Sequence, residues 1–188
     1  MPATDLRHYV KVYDGRLDHV MCQRLIDSFH TLSRFHKVNG RGVQAGLDES
    51  AWTELNVSAL ADSGFSRYFH QAIETAVRDY NRDLQLKIAV PGPNKIDDLI
   101  LKHYVAGGQQ QFQPHFDSIY HVSNRYLVLL WYLNDVAEGG ETVFPDLGLA
   151  VAPRGGRLLV FPPYWMYQHA GRAPLSQDKY ILSTYLLF

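Results

Sequence analysis

Two segments in the first half of the chain repeat apolar residues at the spacing of an amphipathic helix. Residues 18–35 and 63–82 each place their apolar side chains on one helical face, with Asp18 as the candidate N-cap of the first. Stripes of this kind usually pack on a core. We therefore expect two helices lying against a sheet, separated over residues 39–56 by a polar, glycine-bearing loop with room for one short strand.

The second half has a different pattern, in which short β-rich runs follow one another and clusters of Gly and Pro separate them. Several short strands at this spacing are typical of a sandwich or jelly roll. The predicted strands are residues 99–105, 111–117, 125–134, 141–144, 149–152, 157–161 and 179–188. The expected fold class is α+β, mainly β: a double-stranded β-helix (a cupin-like jelly roll) with supporting N-terminal helices. We expect one domain over residues 1–188, with the helical layer mainly in 1–94 and the jelly-roll core mainly in 95–188.

Composition and charge narrow the class of protein. The 188 residues are 46% hydrophobic and 20% charged, which is typical of a soluble globular chain. The formal net charge is −1 without a basic block, so no nucleic-acid partner is expected. The longest apolar run, residues 126–133, is too short to cross a bilayer, and the single cysteine, Cys22, favours a reducing compartment. We expect a cytoplasmic protein without a signal peptide or a membrane partner, and its oligomeric state stays open.

His115 and Asp117 lie two residues apart at the end of a predicted strand. Because side chains alternate across a strand, both can point to one face and bind one metal, although His-x-Asp alone is a weak signal. His121 shares their parity, but it would lie about 13 Å beyond Asp117, at roughly 3.3 Å per residue, and one ion cannot bridge that distance. His169 comes from a later strand and can fold back. Two histidines and one carboxylate form the facial triad expected of non-haem iron(II) oxygenases.

Lys179 opens the last predicted strand. Counted by twos, it shares a face with Ile181, Ser183 and Tyr185, and we take that face as the inward one. A lysine directed into a barrel needs an anionic partner, because an unpaired buried ammonium is very costly. A bound dicarboxylate would supply that partner, whereas a solvated lysine at the strand end would need none.

These residues are parts of a longer ordered pattern. In chain order it consists of Tyr104 with a glycine-rich turn, His115-Phe116-Asp117, Arg125, Tyr132-Leu133-Asn134-Asp135-Val136, Gly139-Gly140-Glu141-Thr142, Phe144-Pro145, Gly155-Gly156, His169-Ala170-Gly171 and Lys179-Tyr180. With this set, residues 100–188 resemble the prolyl 4-hydroxylase branch of the 2-oxoglutarate/iron(II) dioxygenases. The resemblance covers about half of the chain, and the first half is similar only in its helical layer.

The resemblance implies a catalytic centre and its cofactors. His115, Asp117 and His169 would be the iron ligands, and Lys179 would pair with the C5 carboxylate of 2-oxoglutarate. The implied cofactors are iron(II), 2-oxoglutarate as co-substrate and O2, with ascorbate as a candidate addition. Asp117 favours hydroxylation, because a halogenase of this type would need that carboxylate replaced to make room for halide.

The resemblance also suggests positions around the metal. Tyr132 and Tyr104 match tyrosines that hydrogen-bond the co-substrate or line its pocket, and Ser183 matches a hydroxyl near the same carboxylate. Tyr185 matches an aromatic residue near the substrate, and Arg125 matches a basic position linked to substrate binding. The sequence alone equally allows Tyr104 to be a core residue.

The implied activity is a 2-oxoglutarate- and O2-dependent hydroxylation that releases succinate and CO2. A prolyl residue of a peptide or protein is the leading substrate. A free amino acid or small metabolite is the alternative, because the chain is short and lacks a separate peptide-binding domain. A non-catalytic, cupin-like metal-binding or sensing protein is a third possibility, against which Lys179 and Tyr132 argue, since metal binding alone does not require them.

Overall fold

Two antiparallel sheets form the frame of the molecule. The computed structural model describes residues 5–107 and 109–188, so that residues 1–4 and Gly108, part of the predicted glycine-rich turn, lie outside it. The strands in these ranges are β1 Lys11–Tyr13, β2 Lys37–Gly40, β3 Ala51–Asn56, β4 Ile100–Tyr104, β5 Phe112–His115, β6 Arg125–Tyr132, β7 Thr142–Phe144, β8 Leu149–Val151, β9 Leu158–Phe161, β10 His169–Gly171 and β11 Lys179–Leu187. The major sheet has the order β1-β9-β6-β11-β4-β3-β2, and the minor sheet has the order β5-β10-β7-β8.

Two long helices, α1 His19–Thr31 and α2 Ser63–Leu84, begin at the expected residues. The Asp18 side chain accepts a hydrogen bond of 2.7 Å from the backbone N–H of Met21, which confirms the predicted N-cap. Helix α1 ends earlier than predicted, and a separate 3-10 turn, Ser33–Phe35, follows it. No helix among the described residues is long and apolar enough to span a membrane.

Strand β6 separates the two layers of the core. Its residues Leu127, Leu129 and Trp131 pack with the helices, whereas Val128, Leu130 and Tyr132 belong to the cluster between the two sheets. This alternation is expected of a strand that is buried on both faces. The predicted class, a jelly-roll-like α+β fold with supporting helices, is therefore confirmed, and Trp131 packs on Phe69 of α2 as part of the helical interface.

The first half of the chain also supplies strands. Residues 39–56, expected to be a loop with room for one short strand, lie in the β2–β3 hairpin that begins at Lys37, and β1 was not predicted. The alternation is weak here because β2 is an edge strand that pairs only with β3, so it need not carry an apolar face. Three strands of the major sheet thus come from the part of the chain expected to be mainly helical.

Gly40 ends β2 at a position that only glycine fits. Its φ is +93°, and an added Cβ would lie 2.2 Å from the Ser50 carbonyl oxygen. We expect Gly40→Ala to lower the free energy of unfolding by roughly 2–4 kcal/mol, measured by denaturant titration. Gly15→Ala is the matched control, because Gly15 has φ +66° but open space around it, so only a backbone cost of about 1–2 kcal/mol is expected. Equal losses in the two variants would contradict the steric account.

Candidate metal and co-substrate site

The three predicted metal ligands converge at the edge of the minor sheet. His115 is the last residue of β5 and His169 the first of β10, and the two are direct partners in the antiparallel register. Asp117 lies beyond the end of β5, so the predicted strand 111–117 ends too late, although the expected convergence of Asp117 with His115 is confirmed. Its backbone N–H instead donates to the Pro163 carbonyl at 2.9 Å, and this long-range bond positions the carboxylate.

The ligand atoms of the triad are close enough to share one ion. Nε2 of His115 lies 3.5 Å from Asp117 Oδ1, and Nε2 of His169 lies 3.4 Å from Asp117 Oδ2. The candidate ligand atoms all lie within 4.8 Å of one another, and no other cluster of this kind occurs in the described ranges. His121, in the short turn after Asp117, is not part of the group.

Hydrogen bonds set the proton positions that a metal requires. Nδ1 of His115 lies 2.8 Å from the Gln113 carbonyl, and Nδ1 of His169 lies 3.0 Å from the Tyr167 carbonyl. A carbonyl only accepts, so each Nδ1 carries the proton and each Nε2 lone pair is available to a metal. Burial, followed by the neighbouring His115, lowers the pKa of His169 to about 4. His169 is therefore neutral at pH 7, the state that binds metal.

Asp117 is the ionised member of the triad. Burial alone would raise its pKa, but the adjacent His169 and His115 outweigh that effect and hold the pKa below its usual range. Its Oδ2 is buried and has no hydrogen-bond partner within residues 5–107 and 109–188. A buried carboxylate oxygen without a partner is costly, and a bound cation would satisfy it.

Tyr185 hydrogen-bonds Oδ1, the other carboxylate oxygen of Asp117. Its hydroxyl donates to Oδ1 at 3.0 Å, and the Arg125 guanidinium stacks on the Tyr185 ring at 3.6 Å. Arg125 is itself bonded to Asp97 at 2.9 Å. The two residues matched to substrate binding therefore form a chain, from Asp97 through Arg125 and Tyr185, that supports a metal ligand.

Removing the Tyr185 hydroxyl tests that support. In Tyr185→Phe we expect metal affinity to fall about 10- to 100-fold, because the partners that orient a ligand contribute on that scale. The measurement is a competition titration against a metal chelator. Tyr126→Phe is the matched control, since the Tyr126 hydroxyl bonds the carbonyls of Pro91 and Gly92 away from the triad. Unchanged affinity in Tyr185→Phe would contradict this role.

A narrow inner cavity adjoins the triad. Lys179, Ser183 and Tyr185 all line it, together with Tyr104, which confirms the inward face predicted for β11. Lys179 is 2% exposed, and no carboxylate of the described residues lies within 4 Å of its ammonium. The Ser183 hydroxyl is buried, and no residue in the described part of the chain hydrogen-bonds it. This lysine and hydroxyl fit a ligand carboxylate, because such a group would satisfy both.

The two predicted tyrosines occupy different places. The Tyr104 ring lines the inner cavity, with the Lys179 ammonium 5.2 Å from its centroid. Tyr132 lies behind the wall: its hydroxyl donates to Thr142 Oγ1 at 2.6 Å. Thr142, rather than Tyr132, lines the cavity, and the sequence analysis gave it no role although it placed Thr142 in a predicted strand.

An outer groove of about 530 Å³ continues from the inner cavity past the triad. The β2–β3 loop and the turn after Asp117 form part of its walls, and Arg125 lies at its side. Lys102 lines both spaces and was not predicted. Its two-residue spacing from Tyr104 on the same strand is the signal that could have revealed it.

Comparison with known proteins matches residues 99–187 to the model of the 2OG-Fe(II) oxygenase superfamily. Residues 99–187, slightly under half of this chain, are therefore similar to that superfamily. The matched region contains the whole triad and Lys179, and iron(II) and 2-oxoglutarate are the implied cofactors. The donor set fits iron(II), because it consists of two imidazoles and a carboxylate oxygen that has no hydrogen-bond partner among the described residues. The lysine and the hydroxyl of the inner cavity fit the co-substrate.

Similar curated proteins carry prolyl hydroxylase names. The chain is 29% identical over 144 residues to probable prolyl 4-hydroxylase 11 of Arabidopsis thaliana, covering 73% of this chain and 47% of that protein. It is 28% identical over 177 residues to probable prolyl 4-hydroxylase 3 of the same plant, covering 80% and 56%. The chain thus spans about half the length of these curated relatives.

Solved structures share the fold. A Pseudomonas putida prolyl-4-hydroxylase matches with a TM-score of 0.68 and 18% identity, covering 97% of this chain and 95% of that one. A prolyl hydroxylase from Trichoplax adhaerens, in complex with a hypoxia inducible factor peptide fragment, matches with a TM-score of 0.73 and 14% identity, covering 96% and 84%. At these identities the likeness concerns the fold.

Proposed function

We propose that this protein is a 2-oxoglutarate-dependent hydroxylase that acts on a prolyl residue of a peptide or protein. The observation that carries the proposal is the convergence of His115, Asp117 and His169 beside a cavity closed by the buried Lys179. The prolyl hydroxylase names of the relatives support the substrate class.

Each residue has a defined part in this activity. His115, Asp117 and His169 would hold iron(II), while Lys179 and Ser183 would bind the distal carboxylate of 2-oxoglutarate, with Tyr104 against it. Bound iron(II) supplies the O2 activation that couples decarboxylation of 2-oxoglutarate to hydroxylation of a C–H bond. The apolar wall of Val128, Leu130 and Phe161, among other residues, excludes water from the cavity.

The substrate is testable by the mass of the product. Proline-containing peptides are incubated with protein, iron(II), 2-oxoglutarate and isotopically heavy O2, then analysed by mass spectrometry. One heavy oxygen atom in the product, located on proline by fragmentation, is the expected result. A parallel reaction without 2-oxoglutarate should leave every peptide unchanged.

Two outcomes would contradict the proposal in different ways. Succinate release with no modified peptide across a broad panel would leave the oxygenase chemistry intact and remove the peptidyl-proline substrate. Binding of iron and 2-oxoglutarate with no succinate under any condition would instead favour a cupin-like binding or sensing protein.

A further inference from the structure

Lys102 is a second lysine beside the triad that the proposed activity does not use. It lies in the middle of β4, where it pairs with Glu54 of β3 on one side and Ile181 of β11 on the other. It lines the inner cavity and also the outer groove, whereas Lys179 lines only the inner cavity. Lys102 is therefore at the junction between the co-substrate space and the space open to a further molecule.

The Lys102 ammonium has no fixed counter-charge. No carboxylate of the described residues lies within 4 Å of it. Glu54, its cross-strand neighbour, instead accepts a hydrogen bond of 2.6 Å from the Trp52 indole. The ammonium lies 5.6 Å from the Trp52 ring centroid and 5.5 Å from that of Phe112. Burial lowers the pKa of Lys102, and the nearby Asp117 and Glu54 oppose that effect.

The position of Lys102 separates it from the co-substrate lysine. Lys179 is the register partner of Tyr104, and Lys102 is the partner of Ile181. The two lysines are thus two positions apart along the sheet, about 7 Å of strand. In the proposed function Lys179 provides the charge for the distal carboxylate of 2-oxoglutarate, and the other carboxylate would lie toward the metal. An anion reaching Lys102 through the groove would therefore come from the molecule being oxidised.

We propose that Lys102 binds a carboxylate of the primary substrate, so that the residue oxidised at the triad carries a free carboxylate of its own. This inference rests on the 2-oxoglutarate-dependent hydroxylation proposed above, and it concerns which class of substrate that reaction uses. The carboxylate could come from a free amino acid or from a C-terminal prolyl residue. In both cases the Trp52 and Phe112 rings offer an apolar surface to the ring of the substrate.

Acid and amide pairs test the assignment directly. The probes are L-proline and L-prolinamide, and a short peptide ending in proline with a free or an amidated C-terminus. We expect wild-type kcat/KM to favour each acid over its amide by about 10- to 100-fold, as for hydrogen bonds between charged groups. If the acid is preferred only in the pair of L-proline and L-prolinamide, the substrate is a free amino acid. If the acid is preferred in the peptide pair, the substrate is a C-terminal prolyl residue.

Variants connect that preference to Lys102. In Lys102→Met the preference should fall to within about 3-fold, while Lys102→Arg should retain most of it. The KM for 2-oxoglutarate should change less than about 3-fold in both. Lys87→Met is the matched control, because Lys87 is exposed just beyond α2. Thermal unfolding of each variant checks that it is folded, and the wild-type comparison of acid with amide needs no variant.

Binding without turnover separates this inference from the proposed function. Calorimetry with iron(II) and 2-oxoglutarate present and O2 absent measures the affinity of each acid and amide. Acids that bind more tightly than amides, in wild type but not in Lys102→Met, support the inference even if no product forms. Equal affinities in wild type, or no binding by any acid, overturn it. A large rise in the KM for 2-oxoglutarate in Lys102→Met, with the acid preference intact, also overturns it.

Discussion

Replacing Asp117 with alanine is expected to lower succinate formation at least about 10³-fold. The change removes the anionic ligand of the triad and leaves two neutral imidazoles, which bind iron(II) far more weakly. A bound metal contributes several kcal/mol to its reaction, and each loss of about 1.36 kcal/mol is a factor of ten in rate. The measurement is succinate production at saturating 2-oxoglutarate, together with bound iron per chain.

A matched control separates the metal site from a general effect of losing an aspartate. Asp146→Ala removes an exposed carboxylate from the turn after β7, and its activity should equal that of wild type. If Asp117→Ala retained a tenth or more of the activity and kept its iron, Asp117 would not be a metal ligand.

Replacing Lys179 with methionine is expected to raise the KM for 2-oxoglutarate about 100-fold or more. The change leaves a buried ligand carboxylate unpaired, a loss of roughly 3–5 kcal/mol. Because Lys179 would contact the end of the co-substrate remote from the metal, much of kcat should return at very high 2-oxoglutarate. Steady-state kinetics over a wide concentration range measure both effects, with Lys87→Met as the control. An unchanged KM would remove Lys179 from the co-substrate site.

The same substitution should stabilise the protein when no ligand is bound. Burial lowers the pKa of Lys179 from 10.5 to about 7, with the attraction of Glu141 opposing it. Between these pH values the unfolded chain binds more protons than the folded one, so the unfolding free energy rises with pH. The cost of the buried ammonium is complete below pH 7 and absent above 10.5. The free energy of unfolding of Lys179→Met should therefore exceed that of wild type by roughly 2–4 kcal/mol near pH 6, and it should no longer rise with pH between 7 and 10.5. Denaturant titrations at several pH values measure it.

The sequence predicts the site correctly where the alternation of side chains along a strand determines which face a residue occupies. Strand β11 places Lys179, Ser183 and Tyr185 on one inward face, as expected from counting by twos. The pairing of His115 with His169 in register also agrees with a later strand folding back across the barrel. These features follow from the alternation of side chains along a strand and from the choice of ligand types.

Other features depend on contacts between distant segments. Asp117 reaches the triad through its backbone bond to Pro163, because its strand has already ended. Tyr132 faces the space between the two sheets, but it does not line the inner cavity as the resemblance implied, because its hydroxyl donates to Thr142 of the opposite sheet. Arg125 and Tyr185 stack across two neighbouring strands, β6 and β11, a pairing that spacing along one strand does not encode.

The most direct test of the site is the stoichiometry of 2-oxoglutarate turnover, measured with and without the metal and with and without the Asp117 carboxylate. Wild-type protein with iron(II), O2 and an acceptor substrate should release one succinate for each 2-oxoglutarate consumed. Turnover should stop when the metal is chelated, return when iron(II) is restored, and be absent in Asp117→Ala. Succinate release that persists in the metal-free protein, or that is unaffected by both Asp117→Ala and Lys179→Met, would contradict a reaction centred on these residues.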